Sequence, residues 1–196
     1  MKMLVSIISN ALIVAIVTWC VVFGVKLTRP AGRFFRFFTT LSNVLLAISS
    51  AVRLACSLGK LPVWAVALKY SGTVAVTVTM LTVLLFLGPA SHEWKDLLTG
   101  PQLMLHLVCP LLALLSFILF ERTALPLWTV VFGVLPVLLY GAVYCRMVVF
   151  APEERRWNDF YGFNSGGRWG ASMAIMFIAA AAISFAVFFA HAAFAC

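Results

Sequence analysis

Six blocks of 18 to 25 predominantly apolar residues follow one another along the chain: Leu4–Val25, Phe37–Cys56, Val63–Leu87, Leu103–Phe120, Leu127–Phe150 and Ala171–Phe194. About 20 such residues, rising about 1.5 Å each, carry a helix across the hydrocarbon core of a bilayer. Between the blocks lie turn signals: Arg29-Pro30-Ala31-Gly32, Leu58-Gly59, Gly88-Pro89, Gly100-Pro101, Pro126 and Ser165-Gly166-Gly167. The pattern predicts an all-α polytopic membrane protein of six transmembrane helices, with residues 1–196 as one bundle domain. Composition excludes a soluble enzyme, because 64% of the 196 residues are hydrophobic, 10% are charged and the mean hydropathy is +1.08. The first block is longer than a signal-peptide core and no A-x-A site follows it, so it is expected to remain as a span.

The net charge of +8 fits loops at a membrane surface better than a nucleic-acid partner, because the bases lie between apolar blocks. The first, third and fifth loops with their flanks hold nine Lys and Arg, and the remaining loops and termini hold five. By the positive-inside rule the odd loops are expected in the cytoplasm and both termini outside a cell membrane. The five cysteines (Cys20, Cys56, Cys109, Cys145 and Cys196) show no C-x-x-C spacing and read as small buried hydrophobes.

Polar residues within the spans narrow the function. In the second span, Thr39, Asn43, Ala47 and Ser50 share one helix face, whereas Thr40 aligns with Val44 and Ile48. Thr39 is therefore expected to point inward and Thr40 outward. The fourth span carries His106 four residues before Pro110, whose missing N–H leaves the His106 carbonyl without its helical partner. Both spans start from the basic face, which places Thr39 and His106 at matched depth. A hydroxyl and an imidazole so placed suit a nucleophile and its general base. Structural alternatives stay open: hydroxyls also join helices, and a histidine also reaches headgroups.

Other residues carry less. Lys69 is expected to snorkel to the opposite face, and His92 to be solvated. The acidic residues lie in loops or at helix ends and offer no third triad member. The sequence His92-Glu93-Trp94-Lys95-Asp96 breaks the H-E-x-x-H zinc pattern, His106 and His191 lie at different depths, and no phosphate loop is present. No metal or cofactor is called for. Aromatics and bases crowd residues 153–169, either as an interfacial belt or as the mouth of a substrate path. In the second case Arg33, Arg36 and Arg168 would hold a lipid carboxylate or phosphate.

Arg36-Phe37-Phe38-Thr39-Thr40-Leu41-Ser42-Asn43, with His106 and Pro110 and with Asp159-Phe160-Tyr161-Gly162-Phe163, resembles the androgen-induced-protein family and its bacterial relatives. The eukaryotic members are six-span threonine hydrolases that cleave fatty acid esters of hydroxy fatty acids. The resemblance implies Thr39 as nucleophile and His106 as general base. Here the threonine is doubled, which leaves Thr40 as a fallback, and three residues separate His106 from the proline. Asn43, one turn from Thr39, is the candidate oxyanion donor. The expected partner is a lipid ester within the bilayer. The alternative is a non-catalytic membrane protein, such as a small transporter, a channel subunit or an assembly factor. Against it, the intramembrane polar residues gather near one interface instead of forming a track across the bilayer.

Overall fold

The protein is described by a computed structural model covering residues 2–57, 61–121 and 123–195. The expected Leu58-Gly59 turn, Lys60, Arg122 and Cys196 lie outside the described residues. Six helices are long and apolar enough to span a membrane: α1 (Lys2–Leu27), α2 (Phe38–Ala55), α3 (Val63–Ser91), α4 (Gly100–Phe120), α5 (Thr129–Phe150) and α6 (Trp169–Ala195). No strand occurs among the described residues. The chain is an all-α, multi-pass membrane protein.

Helix α3 is the hub. Its residues from Ala65 to Met80 are almost all buried, so that stretch has no lipid face, and exposed apolar side chains appear only toward the ends, at Val63, Trp64, Leu85 and Phe86. A helix that is apolar all round and studded with small residues can be approached from every side. Gly72 lets α2 in: a Cβ there would stand 3.0 Å from the Leu46 Cα and 2.8 Å from the Ser49 Oγ. Gly133 of α5 likewise gives way to Tyr70 of α3 and Ser184 of α6. Around α3 the other helices run in the order α1, α2, α5, α6, α4, with α4 closing back on α1. The ring is loosest between α2 and α5. There an apolar groove of about 400 Å³ opens, walled by Phe38, Leu41 and Leu45 on one side and by Leu139, Tyr140 and Val143 on the other.

Two expected breaks are absorbed into helices. Gly88-Pro89 does not end α3, which continues to Ser91 through a π turn at Val83–Leu87. Gly100-Pro101 opens α4, as proline in a first helical turn costs no hydrogen bond. A second π turn, Met104–Val108, precedes Pro110 and contains His106. Its i→i+5 register is fixed by the Cys109 N–H donating to the Met104 carbonyl. In that register the carbonyl facing Pro110 is Leu105's, one residue before the expected orphan at His106. Cys20, Cys109 and Cys145 are buried free thiols and Cys56 is partly buried.

Candidate functional site

The first turn of α2 meets the π turn of α4 on the face that carries the first, third and fifth loops. Thr39 Oγ1 lies 3.2 Å from Nε2 of the buried His106. His106 Nδ1 lies 2.8 Å from the Leu97 carbonyl. A carbonyl only accepts, so Nδ1 carries the ring proton and donates it there. Nε2 is left with its lone pair toward Thr39, whose hydroxyl donates to it. The Leu97 carbonyl is free for this role because it ends the one-turn helix Trp94–Leu97 of the third loop. An orienting group, a base and a hydroxyl are thus in line, with a backbone carbonyl where a triad has a carboxylate.

Asn43 clamps the two helices. Its side-chain amide donates to the Thr39 carbonyl at 2.8 Å and to the Leu105 carbonyl at 3.0 Å. The second bond satisfies the carbonyl that the π turn and Pro110 leave without an N–H. Both amide hydrogens are therefore engaged, and Asn43 has none left for an oxyanion. Ser42 tightens the same corner, its hydroxyl 3.1 Å from the Thr39 carbonyl and 2.9 Å from the Thr79 hydroxyl.

Of the threonine doublet, Thr39 and not Thr40 hydrogen-bonds His106. The expectation that Thr40 points outward fails, because Thr40 is buried and Thr39 is half-buried. With α1 and α3 packed on either side, α2 hides a face too wide for a single stripe.

The fifth loop closes the site from above. Asp159 accepts the Phe163 N–H at 2.8 Å, the Asn164 N–H at 2.7 Å and the Tyr144 hydroxyl at 3.0 Å. The Tyr161 N–H in turn donates to the Tyr144 oxygen. This folded loop lays the Tyr161 hydroxyl against the start of α2, where it accepts the Phe38 N–H at 3.1 Å and meets the side chains of Thr39 and Tyr140. Burial pushes the Tyr161 phenol above its ordinary range, so it keeps its proton. Read from sequence as either an interfacial belt or the mouth of a substrate path, and within the Asp159–Phe163 motif, these residues gave Tyr161 no role of its own.

Beside the loop lies a cavity of about 450 Å³ whose walls include Arg33, Arg36, Arg155, Arg156, Phe37 and Phe160. Among the described residues, no carboxylate stands within ion-pair distance of these four guanidinium groups. Arg36 stacks over Trp157 at 5.4 Å, and Arg156 is held by the Ala151 carbonyl at 3.2 and 3.3 Å. The expected trio is revised: Arg155 and Arg156 join Arg33 and Arg36, while Arg168 is exposed beyond the Ser165–Gly167 turn and lines no part of the cavity.

Set against protein-family models, curated proteins and solved structures, the chain has no match. Its own residues must therefore carry the functional reading.

A second polar cluster lies at the other end of the bundle. Lys69 is wholly buried and donates to Ser50 at 2.8 Å; it does not snorkel, because α3 offers no route to lipid or water. Glu121, also buried, accepts from Asn10 at 3.1 Å and pairs with Arg53 at 3.5 Å. Nearby, His191 places its two ring nitrogens 3.1 and 3.0 Å from the Phe117 and Thr123 carbonyls, at the C-terminal end of α4. The polar residues thus occur near both ends of the bundle and not at one, and the buried hydroxyls of Thr73 and Thr77, each bonded to the carbonyl one turn earlier, lie between them on α3. An apolar cluster of Ile13, Val17, Leu46, Val76, Cys109 and Ala113 packs α1, α2, α3 and α4 together between the two ends.

Proposed function

We propose that this protein is an integral-membrane hydrolase of lipid esters, with Thr39 as nucleophile and His106 as general base. The observation that carries the proposal is the alignment of Leu97 carbonyl, His106 and Thr39, which fixes the tautomer a base needs. His106 Nε2 takes the Thr39 proton as the hydroxyl oxygen bonds to the ester carbonyl carbon. The tetrahedral intermediate collapses to an acyl-threonine, and the leaving alkoxide takes the proton back from Nε2. Water, deprotonated by the same nitrogen, then releases the acid and restores Thr39. Asn43 acts as a positioning residue, holding both helices in register.

The substrate class is suggested by the two spaces that flank the start of α2, one along Phe38, Leu41 and Ser42 and one at Arg33, Arg36 and Phe37; Thr39 and His106 line neither. The groove between α2 and α5 suits an acyl chain entering from lipid, and Arg33 and Arg36, with Arg155 and Arg156, suit an anionic end group. Fatty acid esters of hydroxy fatty acids combine a mid-chain ester with a free carboxylate, and the resemblance to the androgen-induced-protein family favours the same class.

The test is hydrolysis of such an ester by purified protein in detergent. Wild type, Thr39→Ala, Thr40→Ala and His106→Ala are compared, with size-exclusion profiles to establish folding. Activity is expected in wild type and Thr40→Ala and lost in the other two. Wild-type protein that is monodisperse yet inert on this and on simple esters refutes the proposal.

The buried Lys69 and Glu121, with the half-buried Arg53, support a second reading, a carrier or channel with polar groups at both faces. The apolar packing of Ile13, Val17, Leu46, Val76, Cys109 and Ala113 between the two groups weighs against it. Covalent labelling of Thr39 by an electrophilic ester-mimetic probe discriminates, because transport does not require it.

A further inference from the structure

The proposed hydrolysis creates negative charge on the former ester carbonyl oxygen and therefore needs a hydrogen-bond donor beside Thr39. Asn43 is excluded by its two backbone bonds. Among the polar groups the structure brings to Thr39, one keeps a proton to give. Tyr161 Oη accepts from the Phe38 N–H, so its own hydrogen is directed elsewhere. Tyr140 spends its hydrogen on the Arg36 carbonyl at 2.7 Å, which leaves its oxygen only the role of acceptor toward Tyr161. The Tyr161 hydrogen thus chooses between Tyr140 Oη and the neighbourhood of Thr39 Oγ1.

Building on the hydrolase reading, we infer that Tyr161 is a further catalytic residue, the phenol that stabilises the oxyanion formed when Thr39 attacks the ester. As Thr39 Oγ1 bonds to the carbonyl carbon, the π pair moves onto the carbonyl oxygen, and the Tyr161 O–H turns from its resting acceptor to that oxygen. No proton is transferred; the bond shortens as charge develops and relaxes when the alkoxide leaves. A companion donor lies in the same turn. Thr40 N–H and Leu41 N–H both bond the Phe37 carbonyl, whereas no acceptor for the Thr39 N–H is found among the described residues. The nucleophile's own amide is therefore available to the same oxygen.

The surrounding loop is built to hold this phenol. Asp159 gathers two backbone N–H groups and the Tyr144 hydroxyl, and Tyr144 fixes the Tyr161 backbone. A donor held before reaction is effective because it pays no reorganisation at the moment charge appears.

The experiment compares wild type, Tyr161→Phe and Thr39→Ala as full-length protein in detergent. The substrate is a fatty acid ester of a hydroxy fatty acid, and the inhibitor is a trifluoromethyl ketone of matching chain length, whose adduct with Thr39 carries the oxyanion. Tyr161→Phe is expected to lower kcat by about 10²–10³-fold with little change in KM, and to weaken the ketone by a comparable factor. A structural role would instead lower the fraction of folded protein and leave the ketone's relative affinity unchanged.

If Tyr161→Phe fails to fold, difluorotyrosine at 161 keeps the ring and the bond from Phe38 but ionises at lower pH. It is expected to add a falling alkaline limb to the kcat profile that wild type lacks; an unchanged profile overturns the assignment. Near-wild-type kcat and ketone affinity in Tyr161→Phe, with Thr39→Ala inert, overturns the role of Tyr161 and leaves the Thr39–His106 pair standing. Full activity in Thr39→Ala overturns both.

Discussion

Replacing Asn43 by Ala tests whether one amide holds the two helices that build the site. The substitution removes two hydrogen bonds from a side chain that is 0% exposed. The two carbonyls fare differently. Thr39's still receives the Ser42 hydroxyl, so its loss is that of one ordinary bond, about 0.5–1.5 kcal/mol. The Leu105 carbonyl faces Pro110 across the π turn and has no substitute donor, so its stranding costs about 1–3 kcal/mol. Together the loss is about 1.5–4.5 kcal/mol, measured by reversible denaturant unfolding in mixed micelles. His106 follows Leu105 directly, so relaxation there moves the imidazole; a displacement of about 1 Å lowers kcat by about 10²-fold. A double-mutant cycle makes the test sharper. In Pro110→Ala the residue 110 N–H stands five positions after Leu105 and can bond its carbonyl. Asn43→Ala should then cost about 1–2 kcal/mol less than in the wild-type background. Equal costs in the two backgrounds, or Asn43→Ala with wild-type stability and kcat, refute the account of the clamp.

Four further outcomes are expected. Glu121→Ala strands the half-buried Arg53 and removes the acceptor of the Asn10 amide, and should cost about 1–3 kcal/mol in unfolding experiments, while the folded fraction keeps its kcat. Gly72→Val forces α2 from α3 at the Leu46 backbone; a loss of about 1–3 kcal/mol is expected, together with reduced turnover, because α2 carries Thr39. Asp159→Ala releases the loop behind Tyr161 and should reduce kcat by about tenfold or more, read beside an unchanged unfolding midpoint of the six-helix core. Arg33→Gln combined with Arg36→Gln should raise KM for esters with a free carboxylate and leave KM for their methyl esters unchanged, in parallel steady-state assays.

The spans were legible because length and hydropathy determine them, and the matched depth of Thr39 and His106 followed from counting residues below one interface. The orienting partner of His106 was not legible: it is the Leu97 main-chain carbonyl, and no side chain advertises it. Lys69 misled for a different reason. Its position near a helix end suits snorkelling on a lipid-facing helix, and only the packing order reveals that α3 is enclosed around Lys69. Glu121 was placed correctly at a helix end, yet its burial against Asn10 and Arg53 depends on α1 and α2 arriving from distant sequence. Pro89 read as a break, and Pro110 as a local loosening, because proline interrupts an α-register ladder; a π turn before each lets the helix continue.

The gap between α2 and α5 has a consequence for how occupancy is counted. A groove that opens sideways along Leu41, Leu45, Leu139 and Val143 exchanges contents with the surrounding lipid and not with water. Its filling is then governed by the mole fraction of a ligand among its lipid neighbours. Doubling the inert lipid or detergent at fixed total ligand halves the two-dimensional concentration at the groove, although the bulk concentration stays the same. The surrounding membrane is in this sense a competing ligand, and its composition sets the saturation curve.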